Sequence, residues 1–111
     1  MPLAHESPRR DISPAELHNL LATTSVLLVD VREPDEFAAG HIAGAVNLPL
    51  STFAPSNVPD AGDRTIVLQC AGGKRSGMAL DRCAAAQLAI DTHLAGGIGA
   101  WVAAGYPVTR D

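Results

Sequence analysis

Cysteine, aromatic side chains, an excess of positive charge and long apolar runs are all scarce in this sequence. Only Cys70 and Cys83 occur, and two cysteines without a disulfide framework are typical of a reducing compartment. The net charge is −4, so no general affinity for nucleic acid or anionic membranes is expected. No run approaches the ~18 apolar residues of a membrane span, and residues 1–10 lack the apolar segment of a secretory signal. We therefore expect a cytoplasmic protein without nucleic-acid or membrane partners.

The length and the apolar content favour one globular domain. The 111 residues suit a single domain over 1–111, and 47% of them are hydrophobic, which is in the globular range. Pro2 and Pro8 interrupt a polar start, so residues 1–9 are expected to form a flexible N-terminus.

Apolar runs alternate with helical patterns along the chain. Residues 25–31 form an apolar run that closes on Asp30, and 66–68 form another within a strand predicted at 65–69; such runs are typical of strands buried on both faces of a parallel sheet. Shorter strands are predicted at 11–12, 45–48 and 91–94, and helices at 13–22, 33–39, 77–89 and 98–104. This order predicts an α/β fold with a mostly parallel sheet, in which ligands bind beyond the carboxyl ends of the strands.

Residues 65–76 are the stretch with the clearest chemistry. An apolar strand ends at Cys70, and a glycine-rich, cationic loop leads into a helix. A helix N-terminus and neighbouring cations lower the pKa of a cysteine, which predicts that Cys70 is a nucleophile. The anion-binding loop is predicted to consist of Ala71, Gly72, Gly73, Lys74, Arg75 and Ser76. The alternative is a small buried core cysteine followed by a glycine turn.

The other cysteine and two histidines have simpler interpretations. Cys83 falls on the apolar face of the predicted 77–89 helix and is interpreted as a core residue. If that helix starts near Ser76, Cys83 lies about 10 Å along its axis, which is too far for a disulfide to Cys70. His18 is interpreted as a solvent or groove residue, and His93 as structural or surface-exposed, because no second ligand lies at metal spacing.

Four stretches in order resemble the rhodanese family of sulfurtransferases. They are DVREPDEF at 30–37 with GHIAGAVNLP at 40–49, CAGGKRS at 70–76, GGIGAW at 96–101, and GYPV at 105–108. The resemblance covers about residues 10–109. It implies a three-layer α/β domain, with helices flanking a central, mostly parallel sheet of about five strands and the cysteine at a strand end.

The resemblance also implies a reaction. Cys70 would take the outer sulfur of thiosulfate or a persulfide donor, and would pass it to cyanide or to a thiol acceptor such as thioredoxin or another sulfur carrier. Backbone N–H groups of 71–76 would hold the anionic persulfide, while Lys74 and Arg75 would attract the donor. No metal and no organic cofactor would be needed.

The early signature residues are expected to support this site. Asp30 could accept hydrogen bonds from nearby backbone, and a pair between Arg32 and Glu36 could orient the loop ends; a role in docking the acceptor is the alternative for these residues. His41 is expected to bond backbone, with proton transfer to or from Cys70 as its alternative.

Two other functions remain open on the same fold. A phosphatase or arsenate reductase would cradle an oxyanion in a Cys-x5-Arg loop, but Arg75 follows Cys70 at the shorter Cys-x4-Arg spacing, which suits a single extra sulfur better. A non-catalytic binding module of this fold usually lacks the cysteine, and Cys70 is present.

Overall fold

A five-stranded, all-parallel sheet organises the molecule. A computed structural model describes residues 9–23 and 25–111. The strands are β1 (Arg10–Ile12), β2 (Val26–Asp30), β3 (Val46–Asn47), β4 (Thr65–Gln69) and β5 (Thr92–Leu94). Their order across the sheet is β1-β5-β4-β2-β3, with every described pair parallel. The predicted α/β class and parallel sheet are confirmed, and β4, which leads to Cys70, is the central strand.

Within the described residues, four α-helices connect and cover the strands. They are α1 (Pro14–Ala22), α2 (Pro34–Ala39), α3 (Lys74–Ala85) and α4 (Gly97–Ala103), and single turns of 3₁₀ helix occur at Leu50–Thr52 and Pro55–Asn57. In the described part of the chain, no helix is both long and apolar enough to cross a membrane. The predicted flexible N-terminus, 1–9, lies outside the described residues except for Arg9.

The start of α1 follows from its sequence. Ser13 caps the helix by accepting a hydrogen bond from the Glu16 N–H at 3.1 Å, and the Glu16 carboxylate accepts the Ser13 N–H at 3.1 Å. Pro14 occupies the first turn, where a missing N–H costs nothing. The predicted helix start is confirmed.

Two apolar cores lie on opposite faces of the sheet. Alternate residues of β2 enter different cores, so that Leu27 and Val29 pack with α3 while Leu28 packs with α1 and α4. All five β2 residues are buried, as the continuous apolar run predicts for a strand covered on both faces. The sheet with a helical layer on each side is therefore the three-layer arrangement that was expected.

The predicted bounds of α3 are wrong at both ends. The helix begins at Lys74, before the predicted start at 77, because Gly73 adopts the left-handed conformation with φ 106° and serves as the N-cap. It ends at Ala85, before the predicted end at 89. There Gln87 adopts φ 61°, and the Leu88 N–H bonds the Cys83 carbonyl at 3.0 Å. This closes the helix with a Schellman motif that normally uses glycine.

Candidate active site

Cys70 lies directly after β4, at the carboxyl edge of the central strand. The chain turns at Ala71–Gly73 and enters α3. Lys74, Arg75 and Ser76, predicted as loop residues, form the first turn of this helix instead. The predicted anion-binding loop is therefore a three-residue turn joined to a helix N-terminus, where free N–H groups favour negative charge.

The thiol of Cys70 has hydrogen-bond partners in the turn and on the first turn of α3. The Gly73 N–H donates to Sγ at 3.0 Å, and Sγ lies 3.6 Å from the Ser76 hydroxyl oxygen. Burial of Cys70, whose exposed fraction is 1%, opposes ionisation. Hydrogen bonds from the backbone and side chain of Ser76 and from the N–H groups of Gly73 and Gly72 outweigh that burial, and the pKa of Cys70 is lowered. The side chain is suited to act as a nucleophile near neutral pH.

The N-terminus of α4 clamps the turn that follows Cys70. The N–H of Ile98 donates to the Cys70 carbonyl at 2.8 Å, and the N–H of Gly99 donates to the Ala71 carbonyl at 3.0 Å. A Cβ on Gly97 would lie 2.2 Å from the Cys70 carbonyl oxygen, so only glycine fits there. With these carbonyls bonded to α4, the donors of the turn are left to face Sγ. The glycine-rich stretch at 96–99 permits this close contact between α4 and the turn.

Arg75 is held by a carboxylate on α2. Its two terminal nitrogens bond the two Glu36 oxygens at 2.7 and 2.9 Å. The Arg75 guanidinium and the Glu33 N–H lower the pKa of Glu36 to about 2. Glu36 raises the pKa of Arg75, and the negative charge of Cys70 adds to this. Arg75 therefore interacts electrostatically with Cys70. Lys74, by contrast, is exposed on the first turn of α3.

Arg32 pairs with Asp30 rather than with Glu36. Asp30 is fully buried, and its carboxylate accepts from the Arg32 backbone N–H at 3.0 Å and from the Arg32 side chain at 2.7–3.1 Å. The predicted backbone bond to Asp30 is confirmed, and the predicted Arg32–Glu36 side-chain pair is wrong. Arg32 instead bonds the backbone carbonyls of Glu36 and Gly40 at 3.3 and 2.8 Å. It thereby fixes α2, the helix from which Glu36 reaches Arg75.

Two histidines behave as the sequence predicts. The His41 ring stacks on Phe37 and its Nδ1 lies 2.8 Å from the Phe37 carbonyl, which confirms a bond to backbone. His18 stacks on Tyr106 with ring centroids 4.6 Å apart, and it lines a cavity that Cys70 and its loop do not line.

The interpretation of His93 as structural or surface-exposed misses its contacts. It is buried, and its Nδ1 lies 2.8 Å from the Ser76 hydroxyl oxygen while its Nε2 lies 2.7 Å from Asp11. Ser76 in turn contacts the Cys70 thiol. The three residues come from distant parts of the chain: the β1–β5 register places Asp11 opposite His93, and Ser76 reaches His93 from α3.

Cys83 lies in the same core as Cys70, and both are free thiols. Burial raises the pKa of Cys83, so this thiol is much the weaker nucleophile of the two. Its interpretation as a core residue is confirmed.

Comparisons with known proteins agree on one family. Residues 13–104 match the family model described as Rhodanese-like domain. A protein described as a sulfurtransferase from Allochromatium vinosum is 38% identical over 91 residues, which cover 80% of this chain and 83% of that protein. The crystal structure of a rhodanese-related protein from Thermoplasma volcanium superposes with a TM-score of 0.77 at 31% identity, covering 92% of this chain and 99% of that one.

A longer relative is known as well. An uncharacterised protein from Synechocystis sp. is 44% identical over 99 residues, which cover 89% of this chain. This chain spans only 55% of the length of that relative.

Proposed function

The chain belongs to the rhodanese-like domain family, and from that membership we propose that it is a sulfurtransferase in which Cys70 carries a sulfane sulfur as a persulfide. The observation that supports this most is the Gly73 N–H at 3.0 Å from a buried thiol whose pKa is lowered. The relative described as a sulfurtransferase supports the reaction class.

Thiosulfate fits the first step. The Cys70 thiolate attacks the outer sulfur, a new S–S bond forms, and the bond between the two sulfurs of the donor breaks. The electron pair of the thiolate becomes the new bond, the electron pair of the broken bond leaves with sulfite, which departs as a dianion, and the outer sulfur of the persulfide keeps the negative charge that it carried in thiosulfate. The N–H groups at the start of α3 face that charge, and such fixed donors stabilise developing anions.

The second step returns Cys70 to its thiolate. A thiolate acceptor or cyanide attacks the outer sulfur, and Cys70 leaves with the electron pair of the S–S bond. In the cell we propose a thiol acceptor, such as thioredoxin or another sulfur carrier, and a cytoplasmic location, where the two free thiols would stay reduced. Apart from the sulfur donor and the acceptor, every group that takes part in the two proposed steps belongs to residues of the chain.

The cations near the site have unequal roles in this proposal. Lys74 is exposed and attracts the anionic donor, while the charge of Arg75 is partly neutralised by its two bonds to Glu36. Arg75 therefore contributes less net positive charge to the donor site than its position beside Cys70 suggests. This partial neutralisation favours release of the sulfite dianion after the first step.

Phosphatase chemistry is the competing function on this fold. The Cys-x4-Arg spacing leaves little room for a tetrahedral oxyanion beside the thiolate. Its arginine, Arg75, already forms a salt bridge with Glu36. Both features favour a small sulfur adduct over a bound phosphate.

Steady-state assays separate the two functions. We expect thiocyanate formation from thiosulfate and cyanide with the parallel reciprocal plots of a two-step covalent mechanism, and no hydrolysis of an aryl phosphate. Cys70→Ser should abolish thiocyanate formation, whereas Cys83→Ala should retain it because Cys83 lies in the core. Aryl-phosphate hydrolysis without thiocyanate formation would contradict the proposal.

A further inference from the structure

A continuous row of hydrogen bonds leads from the Cys70 thiol to the protein surface. Cys70 Sγ lies 3.6 Å from the Ser76 hydroxyl oxygen, which lies 2.8 Å from His93 Nδ1. On the far side of the ring, His93 Nε2 lies 2.7 Å from the Asp11 carboxylate. Ser76 is fully buried and His93 is 8% exposed, whereas the Asp11 side chain is 64% exposed. Asp11 therefore connects a buried row of polar groups with bulk water.

The chemistry of the partners fixes where the protons lie. An ionised carboxylate only accepts hydrogen bonds, so the proton of a neutral His93 ring is on Nε2, where it faces Asp11. Nδ1 is then an acceptor, and the Ser76 hydroxyl donates to it. The oxygen of Ser76 is left to accept the S–H of Cys70. Every donor in the row thus points away from Cys70 and toward Asp11.

The bonds can also run in the opposite direction. If His93 carries a second proton, Nδ1 becomes a donor to the Ser76 oxygen, and the Ser76 proton is free to turn. It can then point to the Cys70 sulfur or to the Gly73 carbonyl, which lies 3.1 Å from the hydroxyl. A serine between a thiol and an imidazole can therefore pass a proton either way.

We propose that His93 and Asp11 form a proton relay that exchanges a proton with Cys70 through Ser76. This inference rests on the proposed sulfur transfer and adds positioning residues to it. When Cys70 ionises before it attacks the donor, its proton moves to the Ser76 oxygen and the Ser76 proton moves to His93 Nδ1. The imidazolium that results is paired with the Asp11 carboxylate. After the acceptor has taken the outer sulfur and Cys70 has left as a thiolate, the reverse transfer returns a proton to its sulfur.

Among residues 9–23 and 25–111, two ionisable groups are linked to His93 by the row of hydrogen bonds. Asp11 on β1 contacts His93 directly, and Cys70 at the end of β4 contacts it through Ser76 on α3. Beside Ser76, Arg9 lies against Gly77 and is paired with Asp81. Because that pair is self-compensating, Asp11 is the charge that stabilises a protonated His93.

The pH dependence of Cys70 alkylation by iodoacetamide tests the relay without any sulfur donor, with the labelled peptide identified by mass spectrometry. A thiol coupled to an imidazole should give a rate that rises in two steps with pH. His93→Asn can still accept the Ser76 hydrogen bond but cannot take its proton. In this variant the rate of Cys70 alkylation should rise with pH in a single step, and at neutral pH it should be about tenfold lower than in wild type. A tenfold change corresponds to roughly one unit in the pKa of the thiol.

Combined variants show whether His93 acts through Ser76. His93→Asn should add no further loss in a Ser76→Ala background, whereas independent effects would multiply and would overturn the relay. Asp11→Asn changes an exposed side chain, so this variant should fold normally. It should still reduce the first of the two steps, the one at lower pH, in the profile of alkylation rate against pH. His18→Asn, which removes a histidine outside the row, should keep both steps.

Two outcomes separate the relay from the proposed function. A wild-type profile that His93→Asn and Asp11→Asn leave unchanged would refute the relay, even if thiosulfate loads Cys70 with sulfur. A profile that changes as expected would support the relay, and failure of thiosulfate, glutathione persulfide and a cysteine desulfurase to load the same wild-type protein would then refute only the sulfur transfer.

Discussion

At the scale of single residues, two opposing effects set the reactivity of Cys70. Burial disfavours the thiolate, and the donors of Gly72, Gly73 and Ser76 favour it. The donors win because three of them, the N–H groups of Gly72, Gly73 and Ser76, are backbone groups held by the turn and the start of α3, so they need no reorganisation when charge develops. The lowered pKa of Cys70 is thus a property of the turn as much as of the cysteine.

Glu36 provides a pH-dependent contribution to stability. Its pKa is lowered from 4.5 to about 2, so its pair with Arg75 stabilises the fold fully above 4.5 and loses this effect as the pH falls toward 2. Because the two side chains are about one-third exposed, water screens the pair and its contribution should stay within about 1 kcal/mol. Urea unfolding should find Glu36→Gln less stable than wild type at neutral pH, with the difference shrinking below pH 4.5.

The chain offers a matched control for this variant. Glutamine at position 36 can still accept the Glu33 N–H, so the helix cap of α2 is kept, while the charge and one of the two hydrogen bonds from Arg75 are lost. Glu16→Gln makes the same change at the corresponding position of α1, where the carboxylate accepts the Ser13 N–H. The part of the pH dependence that exceeds this control belongs to the Arg75 pair. An equal pH dependence in both variants would contradict the assignment.

The sequence identifies some site residues and not others for a physical reason. Cys70, its glycines and its cations are adjacent in the chain, so their shared microenvironment is visible in one short stretch. His93 meets Ser76 through the packing of α3 on β5, and Asp11 meets His93 through the pairing of β5 with β1; nothing near these residues in the sequence indicates either contact. For Arg75, the sequence shows the positive charge but not the salt bridge to Glu36.

At the scale of elements, the contact between α4 and the Cys70 turn is the most demanding. Gly97 has φ 61°, and a Cβ there would lie 2.2 Å from the Cys70 carbonyl oxygen. Gly97→Ala should move the turn away from α4, which would displace the Gly73 donor. We expect a loss of Cys70 alkylation rate at neutral pH together with a loss of stability beyond the ~1–2 kcal/mol of left-handed strain.

Gly62 provides the control, because it has the same φ of 61° with nothing within 4 Å of its added Cβ. Gly62→Ala should show the backbone strain alone and keep the alkylation rate of wild type. If both variants lose the same stability and keep the same reactivity, the α4 clamp does not shape the site.

The ends of α3 show where helix prediction from sequence stops working. The alanine-rich run at 78–89 contains no glycine and predicts a longer helix, yet Gln87 takes the left-handed conformation that ends it at Ala85. At the other end, the two adjacent glycines predict a turn but not which of them caps the helix. The ends of this helix depend on how it packs over β4 and β5. Helix propensities describe only the local sequence, so they do not predict the effect of this packing.

At the scale of the whole molecule, one sheet serves two cores. Leu17 from α1 and Leu68 from β4 are both fully buried but lie in different cores. Because the strands are common to both cores, we expect one cooperative domain. Leu17→Ala and Leu68→Ala should each cost about 2–5 kcal/mol.

Urea unfolding followed by Trp101 fluorescence and by circular dichroism checks this expectation. Trp101 belongs to the core of Leu17, so its fluorescence reports directly on one face only. In a cooperative domain, both variants shift both signals together. A Leu68→Ala variant whose Trp101 transition stays at the wild-type midpoint would show two independently unfolding layers.

The order of elements is readable from the sequence, and the order of strands is not. Alternating apolar runs and helical patterns predict a parallel α/β sheet, since each parallel connection needs a crossover. The placement of β1 beside β5, the last strand, brings the two ends of the fold together, and no local pattern specifies it. That placement also builds the row from Asp11 to Cys70.

The most direct test of a Cys70 persulfide is the intact mass of the protein after thiosulfate treatment. Wild type and Cys83→Ala should each gain one sulfur atom, which cyanide should remove, and Cys70→Ser should gain none. Retention of the added sulfur in Cys70→Ser, or its loss in Cys83→Ala alone, would contradict the assignment of Cys70 as the sulfur-carrying residue.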